Sequence, residues 1–377
     1  MTQPSGFVGE GFDQVAQVFA RVLERQPGTG AALAIRRRGE PVVSLWGGDA
    51  NAFAQRAWLE DTPSVIWSCT KGLMAILAAQ QVELGVLDYE KPVAEYWPEF
   101  AQNGKAGILV RELLSHRAGL PAFEFDVTPA HLADWDYMAS NLALQAPVWT
   151  PGAAHAYHPL TFGWLVGELL NRVSGMQPGE LLRTQLSGPL GVDAWIGIPA
   201  EVNDRVAELQ DAPELLPPPE NPPAWVGRTA LGNASSAQLG NDPGIRRAQI
   251  PAAGGIATAS ALATIWSSTV AASNGLRSLG ADVVREATRV QSAGQQISGA
   301  LPPYARWGMG FQLDSDARRY LSADSFGHDG FGGQCTFADP RDEIGFAFIT
   351  NGMREVDDDR APSLIDALRN SLSSMPS

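Results

Sequence analysis

The sequence predicts an α+β fold in which both ends of the chain contribute strands to one antiparallel sheet. Near the N-terminus, a helical segment over residues 12–25 precedes two β-rich runs, AALAIRR and PVVSLWGG, that flank an Arg-Gly-Glu turn. Three more β-like runs, WGMGFQLD, SFGHDGFGGQCTFAD and EIGFAFITNG, lie near the C-terminus. Because strands flank a mostly helical middle, we expect residues 1–88 and 300–377 to form a discontinuous sheet domain and residues 89–299 a mostly helical domain.

Periodicity and turn residues predict the individual elements. The first helix places apolar residues on one face, and a Pro-Gly-Thr-Gly run ends it. Helical periodicity recurs in the middle of the chain, and a final amphipathic helix is expected over PSLIDALRNSL. These middle helices are predicted over residues 72–87, 111–117, 160–174 and 259–274. The Pro-rich stretch 211–225 excludes a helix or a central strand and predicts a surface loop.

Composition excludes several classes of function. The 377 residues carry a formal charge of −14, which argues against a nucleic-acid partner. No N-terminal signal pattern and no apolar run of membrane-spanning length is visible, so we expect a soluble cytoplasmic protein without a membrane partner. Cys69 and Cys335 predict no disulfide framework. His155 and His158 have helical spacing but no carboxylate or thiolate beside them, so no metal site and no cofactor are predicted.

A possible catalytic pair lies in the segment SVIWSCTKGLMAIL, where Ser68 is followed by Lys71. The spacing alone is weak, because a chance Ser-x-x-Lys in this chain has a probability of roughly one in five. Its position at a strand-to-helix junction makes it stronger, since a helix N-terminus offers free N–H groups to a developing oxyanion. An apolar helix would bury Lys71 and lower its pKa. Gly-x-Ser-x-Gly is absent, and His116 and His328 remain conceivable bases.

Four segments, in order, resemble serine β-lactamases, D-Ala-D-Ala peptidases and the related family VIII carboxylesterases. They are Ser68-Cys69-Thr70-Lys71, LLSHRAGLP (113–121), WTPGAAHAYHPLTFGWLVGELLNRVSG (149–175) and FGHDGFGGQCTFADP (326–340). The resemblance implies a serine β-lactamase-like fold, with an antiparallel sheet flanked by helices, a mostly helical insertion and an active site in the cleft between them.

The same resemblance implies roles for individual residues. Ser68 would be the acylated nucleophile, Lys71 its partner base and Tyr157 the proton relay to the leaving group. Without the resemblance, Tyr157 is equally well a core aromatic residue, and a useful relay would need its pKa lowered by a neighbour such as a Lys71 ammonium. The backbone N–H groups of Ser68 and Phe331 would form the oxyanion hole, although the residues around Phe331 also fit a bulged strand.

Two departures from the family pattern bear on the substrate. Tyr157-His158-Pro159 lacks the family's Asn, and His328 replaces the lysine of the Lys-Thr-Gly strand, which weakens attraction for a substrate carboxylate. As substrate-binding residues we expect His328, Gly330, whose missing side chain lets substrate lie close to the backbone, and Trp149 in a hydrophobic pocket. Cys69 is expected to be a buried residue that packs in the protein interior.

These observations predict a metal-independent serine carboxylesterase acting on short-chain esters, with a small-molecule ester as its only predicted partner. A β-lactamase, D-aminopeptidase, amide hydrolase or acyltransferase using the same residues remains the alternative, as does a non-catalytic binding protein on the same scaffold. The natural ester, the acyl chain length, the oligomeric state and the choice of Lys71 or Tyr157 as general base are not determined by the sequence.

Overall fold

The computed structural model describes residues 3–214, 221–228 and 235–375. In chain order the strands are β1 (Ser5–Val8), β2 (Gly30–Arg37), β3 (Glu40–Asn51), β4 (Arg56–Ala57), β5 (Ser64–Val65), β6 (Ala194–Ile196), β7 (Gly255–Ala257), β8 (Arg306–Trp307), β9 (Gln312–Leu313), β10 (Phe326–Asp329), β11 (Cys335–Asp339) and β12 (Ile344–Thr350).

The α-helices are α1 (Asp13–Glu24), α2 (Cys69–Glu83), α3 (Val93–Tyr96), α4 (Val110–Leu114), α5 (Pro129–Leu132), α6 (Trp135–Leu144), α7 (Thr161–Ser174), α8 (Pro178–Leu182), α9 (Gly188–Leu190), α10 (Ser236–Asn241), α11 (Pro243–Arg247), α12 (Ala259–Ser268), α13 (Ala281–Ala287) and α14 (Arg360–Ser374). Short 3₁₀ turns cover Pro98–Ala101, Ala200–Arg205 and Ala224–Arg228.

One large antiparallel sheet joins the two ends of the chain. Its strand order is β1-β3-β2-β12-β11-β10-β9-β8, with β4 paired to β3. The N-terminal β2 lies beside the C-terminal β12, and Leu33 stands opposite Phe348. A smaller sheet has the order β5-β7-β6 and leads directly into α2. The predicted α+β class, with strands from both termini in one sheet, is confirmed.

Side-chain size on β2 and β12 decides how closely helices approach each face of the large sheet. Leu33 and Ile35 point to one face, where they share an apolar cluster with residues of α1 and α14. Ala32 and Ala34 point to the other face, where α12 packs. A Cβ at Gly345 would lie 2.3 Å from a backbone oxygen of α12, so this close packing requires glycine there.

The predicted helices are present with shifted ends. The helix expected over 12–25 is α1, and those expected over 111–117 and 160–174 correspond to α4 and α7. Helix α2 begins at Cys69, three residues before the predicted start, and α12 ends at Ser268 rather than at residue 274. At that end the hydroxyls of Ser268 and Thr269 donate to carbonyls of the preceding turn, which competes with helix continuation.

The middle of the chain does not separate cleanly from the sheet, because α12 packs on β12 and β2. The division at residues 88 and 300 therefore stays a prediction. Residues 215–220 of the predicted Pro-rich loop lie outside the described residues, and Ala224–Arg228 beyond them forms a 3₁₀ turn. None of the helices in the described ranges is long and apolar enough to cross a membrane.

Candidate active site

Ser68 lies in a strained turn between β5 and α2. Trp67 has a φ of 47°, a left-handed conformation that is unfavourable for a bulky residue. The hydroxyl of Thr70 donates to the Trp67 carbonyl and accepts the N–H of Gly255 on β7, so the turn is tied to the small sheet. Ser68 itself is the first residue before α2. The predicted strand-to-helix junction at Ser68 is therefore present.

Two side chains reach the Ser68 hydroxyl. The Nζ atom of Lys71 lies 3.0 Å from Ser68 Oγ, and the Tyr157 hydroxyl donates to the same oxygen over 2.9 Å. Lys71 Nζ also donates to the backbone carbonyl of Ala252 over 2.9 Å and lies 4.9 Å from the centre of the Tyr157 ring. The structure thus brings residues 68, 71 and 157 together as the resemblance implies. We call them the catalytic triangle, after the role that the resemblance predicts for them.

Burial sets the proton states within the catalytic triangle. Lys71 is completely buried at the start of an apolar helix, and this burial lowers its pKa well below the ordinary value. Burial raises the pKa of the Tyr157 phenol, an effect that outweighs its hydrogen bond to Ser68. The Tyr157 pKa is not lowered as a relay assisted by a Lys71 ammonium would require, because a neutral Lys71 supplies no positive charge. The amine can accept a proton, and the phenol can donate one.

The backbone N–H groups predicted to form the oxyanion hole are those of Ser68 and Phe331. Within the described residues, neither the N–H of Ser68 nor that of Phe331 donates to another protein group. Phe331 follows β10 in a turn closed by a bond from the Gly330 N–H to the Gln334 carbonyl, and its ring packs edge to face on Trp67 with centroids 6.0 Å apart. An oxyanion hole needs unpaired backbone donors, and both N–H groups meet that requirement; their role as an oxyanion hole stays a prediction.

Gly330 allows the end of β10 to lie against the nucleophile turn. A Cβ at this position would lie 2.4 Å from the Ile66 carbonyl oxygen and 3.2 Å from Cys69 Sγ. The Cys69 thiol donates to the carbonyl of His328 over 3.1 Å and is fully buried, as expected of a packing residue. Gly330 thus makes room for the protein's own backbone, whereas its predicted contact with substrate stays a prediction.

Three histidines around the catalytic triangle are buried and neutral. Burial lowers the pKa of His158 to about 4 and that of His328 to about 3. His158 Nε2 accepts the Leu120 N–H, and its Nδ1 faces the Ala156 carbonyl 2.7 Å away. The pKa of His116 is lowered well below its ordinary value for the same reason. Neither His116 nor His328 hydrogen-bonds to Ser68, so neither lies where a base for Ser68 would lie.

His328 has one ring nitrogen without a hydrogen-bond partner in the part of the chain that the structure describes. Its Nδ1 lies 2.7 Å from the Asp329 carbonyl, so Nδ1 carries the proton and Nε2 is unprotonated. This Nε2 is buried and has no partner in the described structure. The His328 ring lies 5.4 Å from Trp307 and 6.1 Å from Tyr157 between ring centroids. A lone pair there does not attract a substrate carboxylate.

Trp307 and Ala252 are site residues to which sequence reasoning gave no specific role. Trp307 stacks on Tyr157 with centroids 5.2 Å apart and an angle of 16°, but in the sequence it is one of eleven tryptophans. Ala252 acts through its backbone carbonyl, which leaves no sequence signal. Trp149 donates to the Ala154 carbonyl, and its ring packs on His158 and Trp225. Its predicted contact with substrate stays a prediction.

With this geometry in place, comparison with known proteins identifies the family. The chain matches the beta-lactamase family over residues 15–369 and belongs to it. Esterase/beta-lactamase LipL of Mycobacterium tuberculosis (strain ATCC 25618 / H37Rv) is 33% identical over 358 residues, which cover 90% of this chain and 81% of that protein.

Two solved structures share the fold over nearly the whole chain. A family VIII carboxylesterase is 32% identical with a TM-score of 0.90, covering 98% of this chain and 99% of the other. A penicillin-binding protein homologue from Caulobacter crescentus is 35% identical with a TM-score of 0.89, over 98% and 99% of the two chains. The predicted serine β-lactamase-like fold and the resemblance to family VIII carboxylesterases are confirmed, and these relatives agree with the predicted serine esterase class.

Proposed function

We propose that this protein is a serine carboxylesterase that hydrolyses short-chain esters through an acyl-enzyme on Ser68. The observation that carries the proposal is the catalytic triangle: a buried amine and a phenol within 3.0 Å of one serine hydroxyl. Relatives named as an esterase/beta-lactamase and as a family VIII carboxylesterase support the same class of reaction.

The first half-reaction uses the proton states that burial imposes. Neutral Lys71 takes the Ser68 proton as Oγ attacks the ester carbonyl carbon, and the carbonyl oxygen becomes an oxyanion facing the N–H groups of Ser68 and Phe331. When the carbon–oxygen bond to the alcohol breaks, Tyr157 donates its proton to the leaving oxygen and regains one from the Lys71 ammonium. Alcohol leaves, and the acyl group remains on Ser68.

The second half-reaction regenerates the enzyme. Water attacks the acyl carbon and loses its proton to the neutral Lys71 amine. The bond to Ser68 Oγ then breaks, Oγ recovers a proton, and the carboxylic acid is released. No metal or cofactor takes part in this scheme. His328 favours neutral substrates, because its neutral ring offers Nε2 as an acceptor and no positive charge.

Replacement of the nucleophile tests the proposal. Ser68→Ala should reduce hydrolysis of p-nitrophenyl butyrate by at least about 1,000-fold, because no acyl-enzyme can form. A fluorophosphonate probe should label wild-type Ser68, with mass spectrometry locating the adduct, and should leave the variant unlabelled. Ser374→Ala, an exposed serine on α14, is the matched control and should behave as wild type. Retained ester hydrolysis in Ser68→Ala would exclude this mechanism.

Amide chemistry on the same residues is the alternative, since LipL is named for both activities. A β-lactam carries a carboxylate, which the neutral His328 does not attract. Hydrolysis of p-nitrophenyl butyrate should therefore exceed hydrolysis of nitrocefin by at least about 100-fold in kcat/KM. The opposite order would make the protein a β-lactamase. Product analysis with added alcohols would reveal the acyltransferase alternative.

A further inference from the structure

Tyr157 lies in a buried segment that has no regular secondary structure. Residues 154–158, which we call the tyrosine segment, form neither helix nor strand, and α7 begins only at Thr161. Ala156 and His158, on either side of the phenol, are no more than 1% exposed. Because no helix or sheet ladder supports this backbone, bonds to distant parts of the chain must fix the place of the phenol.

His116 bonds to the residue on each side of Tyr157. The Ala156 N–H donates to the His116 carbonyl over 3.2 Å, and the His158 N–H donates to His116 Nδ1 over 3.2 Å. His116 belongs to the LLSHRAGLP segment, to which the proposed mechanism gives no other part. One residue thus holds the backbone immediately before and immediately after the phenol.

The imidazole of His116 also contacts the Tyr157 ring. It is fully buried, meets Tyr157 edge to face with ring centroids 4.9 Å apart, and meets Trp307 in the same manner at 4.7 Å. Trp307 itself stacks on Tyr157. Each of the three rings therefore contacts the other two, and a phenol displaced from Ser68 would loosen both of its aromatic contacts.

The backbone of His116 has a conformation that disfavours histidine. Its φ is 64°, in the left-handed region, directly after the last residue that caps α4. The His116 N–H donates to the Leu113 carbonyl and the Arg117 N–H to the Glu112 carbonyl, which is a helix ending that usually carries glycine or asparagine. A histidine is strained there, so the helix ending gives no reason for it. The contacts of its side chain with the tyrosine segment do.

Other bonds to the tyrosine segment limit the effect of losing His116. The Leu120 N–H donates to His158 Nε2 over 3.1 Å, and the Tyr157 N–H donates to Gln296 Oε1 over 2.9 Å. These bonds do not involve His116. Its replacement should therefore loosen the tyrosine segment without releasing the segment from the fold.

We infer that His116 is a positioning residue that keeps the Tyr157 hydroxyl on Ser68 Oγ during ester hydrolysis. Within the described ranges it hydrogen-bonds to neither Ser68 nor Lys71, so it acts through Tyr157 and not on the substrate. The inference rests on the proposed function, in which Tyr157 protonates the leaving alcohol. A misplaced Tyr157 should therefore slow esters whose alcohol needs that proton and should spare esters whose alcohol leaves as a stable anion.

Ethyl butyrate and p-nitrophenyl butyrate test the inference, because they share the acyl group and differ in the leaving group. Ethoxide needs a proton to leave, whereas p-nitrophenolate does not. His116→Leu removes the Nδ1 acceptor and should lower kcat/KM about 100-fold for ethyl butyrate but no more than about fivefold for p-nitrophenyl butyrate. His116→Asn keeps an acceptor at the place of Nδ1 and tolerates the left-handed backbone. The ratio of its two kcat/KM values should stay within about threefold of wild type.

A folding defect alone would lower both values equally, so their ratio separates positioning from stability. Tyr157→Phe should shift the ratio at least as far as His116→Leu, because it removes the acid itself. His131→Leu is the matched control, since the His131 ring packs on Tyr137, and it should keep the wild-type ratio. Thermal unfolding checks that each variant is folded, and His116→Ala takes the place of His116→Leu if the larger side chain prevents folding.

A wild-type ratio in His116→Leu or His116→Ala would overturn the inference. A loss in His116→Asn as selective as that in His116→Leu would also overturn it, because the acceptor at Nδ1 would then have no role. A wild-type ratio in Tyr157→Phe would instead refute the proton relay of the proposed function, and absence of both ester hydrolysis and Ser68 labelling in the wild type would refute that function as a whole.

Discussion

Among the described residues, the amine of Lys71 has no acidic partner at hydrogen-bond distance; its hydrogen-bond partners are the Ser68 hydroxyl and the Ala252 carbonyl. Its charged form would therefore lie in an apolar interior without compensation. Holding Lys71 neutral costs stability at neutral pH, and the same neutrality lets the amine accept the Ser68 proton. One physical cause, burial, thus accounts for both the stability cost and the chemistry.

Substitution of Lys71 by methionine should separate these two effects. Lys71→Met should abolish ester hydrolysis because no base remains. The lysine pKa is lower in the folded than in the unfolded chain, so the unfolded chain binds more protons between these two pKa values. Wild-type stability relative to Lys71→Met should therefore rise with pH by about 1.4 kcal/mol per unit, up to the ordinary lysine pKa.

Chemical unfolding of both proteins at pH 7, 8 and 9 measures this difference. Lys91→Met serves as the control, because Lys91 is exposed, and its stability difference from wild type should stay nearly flat with pH. A difference between wild type and Lys71→Met that stays constant over this range would show that Lys71 is not neutral in the folded protein.

At the scale of elements, the nucleophile turn and the end of β10 form one unit. The Cys69 thiol bonds to the His328 carbonyl, and Gly330 leaves room for the Ile66 carbonyl. Arg318 forms an ion pair with Asp329 at the same strand end, and the Tyr320 hydroxyl donates to that carboxylate over 3.3 Å. These contacts hold the Phe331 N–H at a fixed place relative to Ser68.

A methyl group at residue 330 should disturb this unit. Gly330→Ala would place a Cβ 2.4 Å from the Ile66 carbonyl oxygen, so the turn or the strand must shift. We expect a loss of about 1–3 kcal/mol in unfolding free energy and about 100-fold in kcat/KM. Urea unfolding and ester kinetics measure the two effects.

Gly107→Ala is the control for this substitution, because no heavy atom lies within 4 Å of its Cβ position. It should change the unfolding free energy by no more than about 0.5 kcal/mol. Wild-type kinetics in Gly330→Ala would show that the distance between β10 and the turn does not matter for catalysis.

At the scale of the whole molecule, Asn351 ties distant parts of the chain together. Its Oδ1 accepts the Gly30 N–H over 2.7 Å, and its Nδ2 donates to the carbonyls of Asp49, Ala50 and Glu208. The segment that contains Glu208 continues the link, because the Ala207 N–H donates to the carbonyl of residue 63, just before β5. One buried amide thus connects both ends of the chain to the strand that leads to Ser68.

Removal of this amide should weaken the whole fold. Asn351→Ala leaves a buried N–H and several carbonyls without a partner, and we expect a loss of about 3 kcal/mol in unfolding free energy. Asn370→Ala, at an exposed position of α14, should stay within about 0.5 kcal/mol of wild type. Equal unfolding midpoints for the two variants would contradict this role.

The local sequence pattern was sufficient to predict much of the fold and part of the candidate site. The helix at α1 is predicted by six apolar residues on one face, and the catalytic pair is predicted by Ser68 and Lys71 lying one helical turn apart. Both features can be recognised within a short stretch of sequence. The local sequence pattern did not assign a role to Tyr157, because packing as a core aromatic residue beside Trp149 and Trp164 was an equally good interpretation. Only the family resemblance implied a catalytic role for Tyr157, and the structure places its hydroxyl 2.9 Å from Ser68 Oγ.

The sequence by itself determined the α+β class, the helices and strands that periodicity encodes, and the Ser-x-x-Lys pair at a helix start. Tertiary structure alone decided the proton state of Tyr157, the role of the Ala252 carbonyl and the stacking of Trp307. The reason is physical: burial and contacts between segments more than 80 residues apart set these properties, and no local pattern records them.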